Sequence, residues 1–401
     1  MENFELTAPC HFGLEAVLKK EIIALGYDIV KVEDGRVIFR GGTDAICRAN
    51  IFLRTAERVL INIGKFHAVT FDELFEKTKA LPWHEYIPYN GRFWVTKATS
   101  IKSRLFSPSD IQSIMKKAMV ECMKSKHNVN QFPEDGEDYP IRVTIMKDEV
   151  SIGLDTSGAS LHKRGYRLST VKAPITETLA AALIMLTPWK HDRILVDPFC
   201  GSGTFPIEAA LIGANIAPGM NRSFISENWT HIIPKKEWYN AINEAEDIII
   251  HDISMDIQGY DINGNAVKAA MENARNAEVD KLIHFQQRPV SKLSHRKKYG
   301  FIITNPPYGM RLDTSSDSQD NTPSDLPKLY REIGEAYRNL DSWSMFLITA
   351  YEQAEKYIGQ KADKNRKIYN GMIKSYFYQY MGAKPPRRDK NLISNDKKKQ
   401  A

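Results

Sequence analysis

Four short strand-like runs follow one another in the second half of the chain, and each ends at a polar or proline-bearing turn. They are RILVDPF (193–199), DIQGYDI (256–262), GFIITNPPY (300–308) and SMFLITA (344–350). All four read as strands, RILVDPF and SMFLITA as buried ones. Segments with helical periodicity lie before and between them: ITETLAAALIML, FPIEAALIG and NGNAVKAAMENARNA. Strands alternating with helices imply an α/β fold with an open, mostly parallel, doubly wound sheet. Ligands bind such sheets beyond the carboxyl ends of the strands.

The first half reads differently. Leu14, Leu18, Ile22 and Leu25 mark one helix, stopped by Gly26. RVIFR (36–40) reads as a strand, AICRANIFLRTAE (45–57) as a helix and RVLINIGKF (58–66) as a strand. A second module follows, with the amphipathic FDELFEKTKAL ended by Pro82, the strand RFWVTKAT and the helix SDIQSIMKKAMVECMKS. Asn128 to Pro140 reads as a loop, and IRVTIMKDEVSIGLDT as two strands turning at Lys147-Asp148. A basic connector, SGASLHKRGYRLSTVKAP, leads to the second half, and the polar tail from Lys384 reads as disordered.

Composition narrows the class. No apolar run approaches the ~20 residues that cross a bilayer. The start, MENFELTAPC, lacks the basic and apolar regions of a secretory signal. Cys10, Cys47, Cys122 and Cys200 form no CxxC pair and no disulfide framework. The expectation is a reduced, cytoplasmic protein with no metal and no membrane contact. Lys and Arg total 55 against 49 Asp and Glu, a net charge of +6 that permits an acidic partner.

Three strand ends carry chemistry. Asp197-Pro198-Phe199-Cys200-Gly201-Ser202-Gly203-Thr204 joins strand to helix, and its glycines let backbone approach a ligand. Pro206 stands where a dinucleotide fingerprint needs a third glycine, and no Gly-Lys-Ser/Thr of a P-loop is present. An acidic residue opening the loop suits a cationic ligand. Asp261, with Ile262 after it, is placed to accept hydrogen bonds from a ribose diol, although a helix N-cap aspartate looks the same alone. An insertion from Ala214 to Ile253 separates it from the glycine loop. Asn305-Pro306-Pro307-Tyr308 is a stiffened turn that fixes an amide oxygen and a carbonyl as two acceptors for a flat amine, with a tyrosine ring to stack on its base.

DPFCGSGT, YD and NPPY in this order resemble class I S-adenosylmethionine-dependent methyltransferases that act on amino groups. DTSGASLHKRGYR followed by APITETLAAALI resembles the junction of THUMP-containing RNA guanine-N2 methyltransferases, including those of 23S ribosomal RNA. FDELFEKTKALPWHEYIP and MKKAMVE resemble the THUMP part, and Asn221-Arg222-Ser223-Phe224 with Trp229 resembles the family's insertion. KIYNGMIKSYFYQY resembles its closing segment, so the likeness spans about residues 1 to 383.

The resemblance implies a Rossmann-like methyltransferase domain (165–385) preceded by an α+β region of ferredoxin-like (1–65) and THUMP (66–160) parts, with a basic tail (386–401). It implies S-adenosyl-L-methionine held by Asp197, Phe199, Cys200, Gly201, Ser202, Gly203, Thr204, Asp261 and Ile262, under a helix beginning at Thr176 and Glu177. It places catalysis at Asn305, Pro306, Pro307 and Tyr308. One departure concerns the adenine: after IHFQQ the family usually has an aspartate, and here Arg288-Pro289-Val290 stands instead. Lys163, Arg164, Tyr166 and Arg167 combine cations with a ring and read as an RNA-contacting strip, with a solvated linker or a structural segment on the cofactor side as the other reading. The expected activity is methylation of guanine N2 in RNA, foremost 23S ribosomal RNA. The alternatives are the same chemistry on tRNA, adenine N6 methylation of DNA, and a non-catalytic RNA-binding or ribosome-assembly factor.

Overall fold

The computed structural model describes residues 3–128, 131–168, 174–308, 326–371 and 373–386. Two seven-stranded sheets organise these residues. The first contains β1 (Phe4–Pro9), β2 (Asp28–Glu33), β3 (Arg36–Gly41), β4 (Leu60–His67), β5 (Arg92–Ile101), β6 (Asp138–Met146) and β7 (Glu149–Asp155). Its order is β2-β3-β1-β4-β7-β6-β5. The two N-terminal modules therefore share one continuous sheet, joined where β4 pairs antiparallel with β7. Helices α1 (Glu15–Ala24), α2 (Thr43–Phe52), α3 (Phe71–Lys79), α4 (Trp83–Tyr86) and α5 (Pro108–His127) accompany it.

Local readings fail at two places for identifiable reasons. The expected helix 45–57 stops at Phe52, and Leu53 is extended. The Glu21 carboxylate captures the next two N–H groups, Arg54 at 2.7 Å and Thr55 at 3.2 Å. The expected loop 128–140 ends early, because β6 starts at Asp138 and includes Pro140. Tyr139 is buried there and stacks on Trp229 at 4.9 Å, a contact from far along the chain.

The second sheet contains β8 (Leu195–Asp197), β9 (Ile257–Asp261), β10 (Ile283–Gln287), β11 (Phe301–Thr304), β12 (Ser344–Thr349), β13 (Lys364–Asn370) and β14 (Ile373–Tyr380). The order is β10-β9-β8-β11-β12-β14-β13, with the first five parallel, β14 antiparallel to β12, and β13 antiparallel to β14. Leu195, Phe301 and Phe346 face one core with α6 (Glu177–Met185), α7 (Thr204–Gly213) and α9 (Gly264–Asn276). Val196, Ile302 and Met345, one residue out of phase, face the other with α10 (Leu326–Arg338) and α11 (Ala354–Ile358). Strand alternation thus produces both layers. Between β8 and β11 the chain connections run in opposite directions, which opens a crevice at their carboxyl ends.

The insertion does more than lengthen a loop. Its helix α8 (Lys235–Asp247) and the turn before it pack into the core of the first sheet, through Phe224, Trp229, Ile233 and Trp238. Arg48 on α2 forms a two-pronged bond to Glu244, both contacts at 2.7 Å. Trp229 is fully buried and its indole N–H donates to the Asp138 carbonyl at 3.0 Å. Trp229→Ala should therefore destabilise the protein by about 3–5 kcal/mol. Urea unfolding followed by tryptophan fluorescence and circular dichroism measures this, and a loss below ~1 kcal/mol would mean that the insertion does not hold the halves together.

Candidate active site

The glycine loop leaves β8 at Asp197 and winds into α7. Gly201 and Gly203 have φ of 53° and 89°, values that favour residues without a Cβ. A Cβ on Gly203 would lie 3.0 Å from that of Ala270 on α9, so the loop is seated directly on the next helix. The Cys200 N–H donates to the Tyr260 carbonyl at 2.8 Å, and the Gly201 N–H to Asp261 Oδ2 at 3.0 Å. Asp261 Oδ1 accepts the Asn263 N–H at 2.9 Å. Each carboxylate oxygen keeps acceptor capacity beyond its one N–H. Burial pushes the Asp261 pKa up, against the backbone N–H bonds that lower it. Ile262 beside it is 66% exposed, an apolar face next to a carboxylate. This pairing fits a nucleoside, with the diol on Asp261 and the base on Ile262.

Asp197 stands at the head of the loop. It is fully buried, and its Oδ1 accepts from Thr304 Oγ1 at 2.6 Å and from the Phe199 N–H at 3.1 Å. Through that oxygen Asp197 ties the ends of β8 and β11 together. Ser202 and Thr204 are likewise buried, with their hydroxyls turned to Arg167 at 2.7 and 2.8 Å. Cys200 is buried too, and Phe199 is half-buried against the second core.

The connector strip is corrected by the same geometry. Arg167 binds Glu177 at 2.6 Å as well as the two loop hydroxyls, so one guanidinium fastens α6 to the glycine loop. Arg164 is buried, donates to the Leu161 and Arg54 carbonyls and lies 3.6 Å from Glu208. Tyr166 is buried, its hydroxyl donating to Glu208 at 3.0 Å. Tyr166 is thereby closed off from a phosphate or a base, whereas Arg164 is held by the Arg54 carbonyl and α7 at the wall of a cleft. Lys163 remains exposed. A cleft of about 380 Å³ opens beside Lys163, Arg167, Thr176 and Glu177. Thr176 Oγ1 faces His11 Nε2 at 3.2 Å, and Glu177 is buried.

Asn305 to Tyr308 follow β11 in the crevice. Asn305 Oδ1 is buried and finds no hydrogen-bond donor among the described residues. A buried acceptor left open costs free energy unless a ligand fills it. The turn is braced from below by Tyr330, whose hydroxyl donates to the Pro307 carbonyl at 3.2 Å and meets Thr349 Oγ1 at 2.5 Å. Tyr330 and Thr304 were silent in the sequence, since nothing local marks a tyrosine on α10 or a threonine at a strand end. Asn273 was also missed. It is fully buried on α9, donates to the Ser202 carbonyl at 3.0 Å and accepts the Leu168 N–H at 3.1 Å. A polar residue on the apolar face of a helix was its one visible signal. Where the adenine aspartate was expected, the Arg288 N–H donates to the Asp261 carbonyl at 2.9 Å and its guanidinium lies over the Tyr260 ring.

Residues 164–379 match the RMKL-like methyltransferase domain, residues 5–60 an RlmL ferredoxin-like domain and residues 68–155 a THUMP domain. The chain belongs to the RMKL-like methyltransferase family. It is 46% identical to YpsC of Bacillus subtilis (strain 168), named as a candidate RNA methyltransferase, over 97% of this chain and 99% of that one. It is 31% identical to the ribosomal RNA large subunit methyltransferase K/L of Cellvibrio japonicus, over 92% of this chain and 50% of the relative. The chain thus spans about half the length of the K/L relatives. Among solved structures, SMU.472, a methyltransferase candidate complexed with SAH, superposes with a TM-score of 0.88 at 41% identity, covering 96% of this chain and 100% of that one. The RMKL-like assignment agrees with the fold and with the methyltransferase reading of the three strand ends.

Asp197 gives the RMKL-like site a pH signature. Burial raises its pKa to about 7, opposed by the bonds from Thr304 and Phe199, with Asp261 adding to the rise. The folded state therefore holds this proton more tightly than the unfolded chain. Its contribution to stability is complete below the unfolded value near 4 and is lost as pH rises through about 7. Between pH 5 and 8 the wild type should lose on the order of 1–3 kcal/mol relative to Asp197→Asn. Urea titrations of both proteins across this range test it, and parallel profiles would remove Asp197 as the titrating group.

Proposed function

We propose that this chain transfers a methyl group from S-adenosylmethionine to the exocyclic N2 of a guanine in RNA, with large-subunit ribosomal RNA as the substrate. The observation that carries the reading is the buried Asn305 acceptor, without a donor among the described residues, at the end of β11, the strand that neighbours β8 and its glycine loop. The THUMP match and the ribosomal RNA names of the K/L relatives support RNA as the substrate. The division into 1–65, 66–160 and 165–385 belongs to the same proposal.

In this reading Asp261 and Ile262 hold the nucleoside of the cofactor, and Gly201 and Gly203 let the loop close on it. The cofactor supplies a methyl group on a sulfonium, already activated as an electrophile. Asn305 Oδ1 accepts an N–H of the amine and turns its nitrogen lone pair away from the ring. Tyr308 supplies a ring face for the base. A base within a helix must first be flipped into this turn. Orientation of nitrogen and methyl carbon then supplies much of the rate.

The contact at Asn305 strengthens as positive charge develops on the nitrogen, so it belongs to the transition state. Asn305→Ala should lower kcat by about 10²-fold or more while changing KM little. Because its oxygen bonds nothing in the described protein, the substitution should leave stability nearly unchanged. Single-turnover transfer from labelled cofactor, with the product nucleoside identified by mass spectrometry, is the test. A wild-type rate in this variant sinks the mechanism, and methyl groups on adenine N6 or in tRNA alone sink the substrate assignment. Asp261→Ala should weaken S-adenosylmethionine binding by about 1.5–3 kcal/mol in calorimetry, and unaltered binding would remove Asp261 from the site.

A further inference from the structure

The hairpin β13–β14 closes the second sheet on the side away from the cofactor loop. Its register places it relative to the catalytic turn. Thr304 pairs with Leu347, Leu347 with Tyr378, and Tyr378 with Asn365. Two rows further toward the carboxyl ends, level with Pro306, Tyr376 pairs with Lys367. Two rows beyond that, Lys374 pairs with Tyr369. Directly opposed residues share a face, as do residues two apart on one strand. Lys367, Tyr369, Lys374 and Tyr376 therefore stand on one face, two lysines alternating with two tyrosines. At roughly 4.8 Å per strand, β14 lies about 10 Å and β13 about 14 Å from β11.

The contacts agree with that arrangement. Lys367 Nζ lies 5.2 Å from the Tyr369 ring centre, and Lys374 Nζ 5.2 Å from that of Tyr376. Both lysines are exposed, and both rings are half-buried. The N-terminal domain borders the patch. Phe12, 48% exposed, meets the edge of Tyr369 at 6.2 Å, and Arg366 donates to the Gly13 carbonyl at 2.8 Å. Charges on an edge strand also prevent edge-to-edge pairing. Lys364 and Arg366 already provide that on β13, and it does not call for rings beneath the lysines.

We infer that Lys367, Tyr369, Lys374 and Tyr376, with Phe12 at their border, form a contact surface for single-stranded RNA that holds the nucleotides next to the one presented to Asn305. The lysines neutralise phosphates, and the tyrosines and Phe12 receive base faces. The surface lies one or two nucleotide lengths from the catalytic turn, level with it and beyond it. It replaces the buried part of the connector strip as the cationic and aromatic surface beside the active site. The inference rests on the RNA reading above and names where that RNA is gripped.

The test uses the full chain carrying Lys367→Ala and Lys374→Ala together, with large-subunit ribosomal RNA transcribed in vitro as the probe. Removing two cations that each neutralise a phosphate of a single strand should flatten the slope of log affinity against log salt by about 1.4. Affinity at moderate salt should fall about tenfold, while the single-turnover rate at saturating RNA stays within twofold of wild type. Calorimetry with S-adenosylmethionine should give wild-type affinity, which reports a folded cofactor site. Lys367→Arg with Lys374→Arg should restore the slope, and Tyr369→Ala should weaken binding without changing it. An unchanged slope and affinity in the double alanine variant overturns the inference, and so does a wild type that binds no RNA at low salt. If the wild type binds this RNA but makes no N2-methylguanosine, the proposed reaction fails while the slope comparison still decides the surface.

Discussion

The hydrogen bond from Thr304 to Asp197 sits at the point on which the catalytic half is built. β8 and β11 are neighbours in the sheet, yet the chain leaves them toward opposite edges. Nothing in the covalent path fixes their ends relative to each other. A buried carboxyl from one, accepting the hydroxyl of the other at 2.6 Å, does so. The same carboxyl holds the first N–H of the glycine loop, and the residue after Thr304 is Asn305. The glycine loop and the Asn305–Tyr308 turn are thus set from a single group. Its desolvation shows in a pKa near neutrality, the kind of perturbation that clusters around functional sites.

A second tier of polar contacts sets the two halves against each other. Glu57, just ahead of the first-sheet strand β4, accepts from His11, His162 and Thr178. Burial alone would raise its pKa, but those partners outweigh the penalty and hold it well below the usual carboxylate range. Arg167 then carries the linkage into the glycine loop. Helix α6, apolar on every side, is clamped at its first turn by Arg167 on Glu177 and by Glu57 on Thr178. The loop geometry therefore depends on residues from both halves of the chain.

The three strand ends were legible because their chemistry is local. A glycine turn, an acidic residue at a strand end and a double proline are each written within eight residues. The alternation of strands and helices was legible for the same reason. What escaped depends on partners distant in sequence. Arg164 and Tyr166 look like surface residues until Glu208 and the Arg54 carbonyl are brought to them. Pro140 argues against a strand until Trp229 arrives to bury its neighbour. β2 and β13 interleave charged residues (Asp28, Lys31 and Glu33; Lys364, Arg366 and Lys367) among few apolar ones, so hydrophobic periodicity gave them no voice. The bridging role of the insertion was invisible, because its apolar residues match a surface on the other half rather than a pattern of their own.

That insertion has a bearing on how the protein is made. The core of the first sheet includes Phe224, Trp229, Ile233, Trp238, Ala241 and Ala245. A ribosome producing this chain from its amino end releases all seven strands of that sheet well before these side chains emerge. Until they do, Tyr139 and the neighbouring apolar face have no cover, and the nascent domain is an incomplete body exposed to misassociation. The residues that finish it belong to the following domain, already past its first strand and helix. Maturation of the two halves is thus a shared event, with the early half waiting for a piece of the late one.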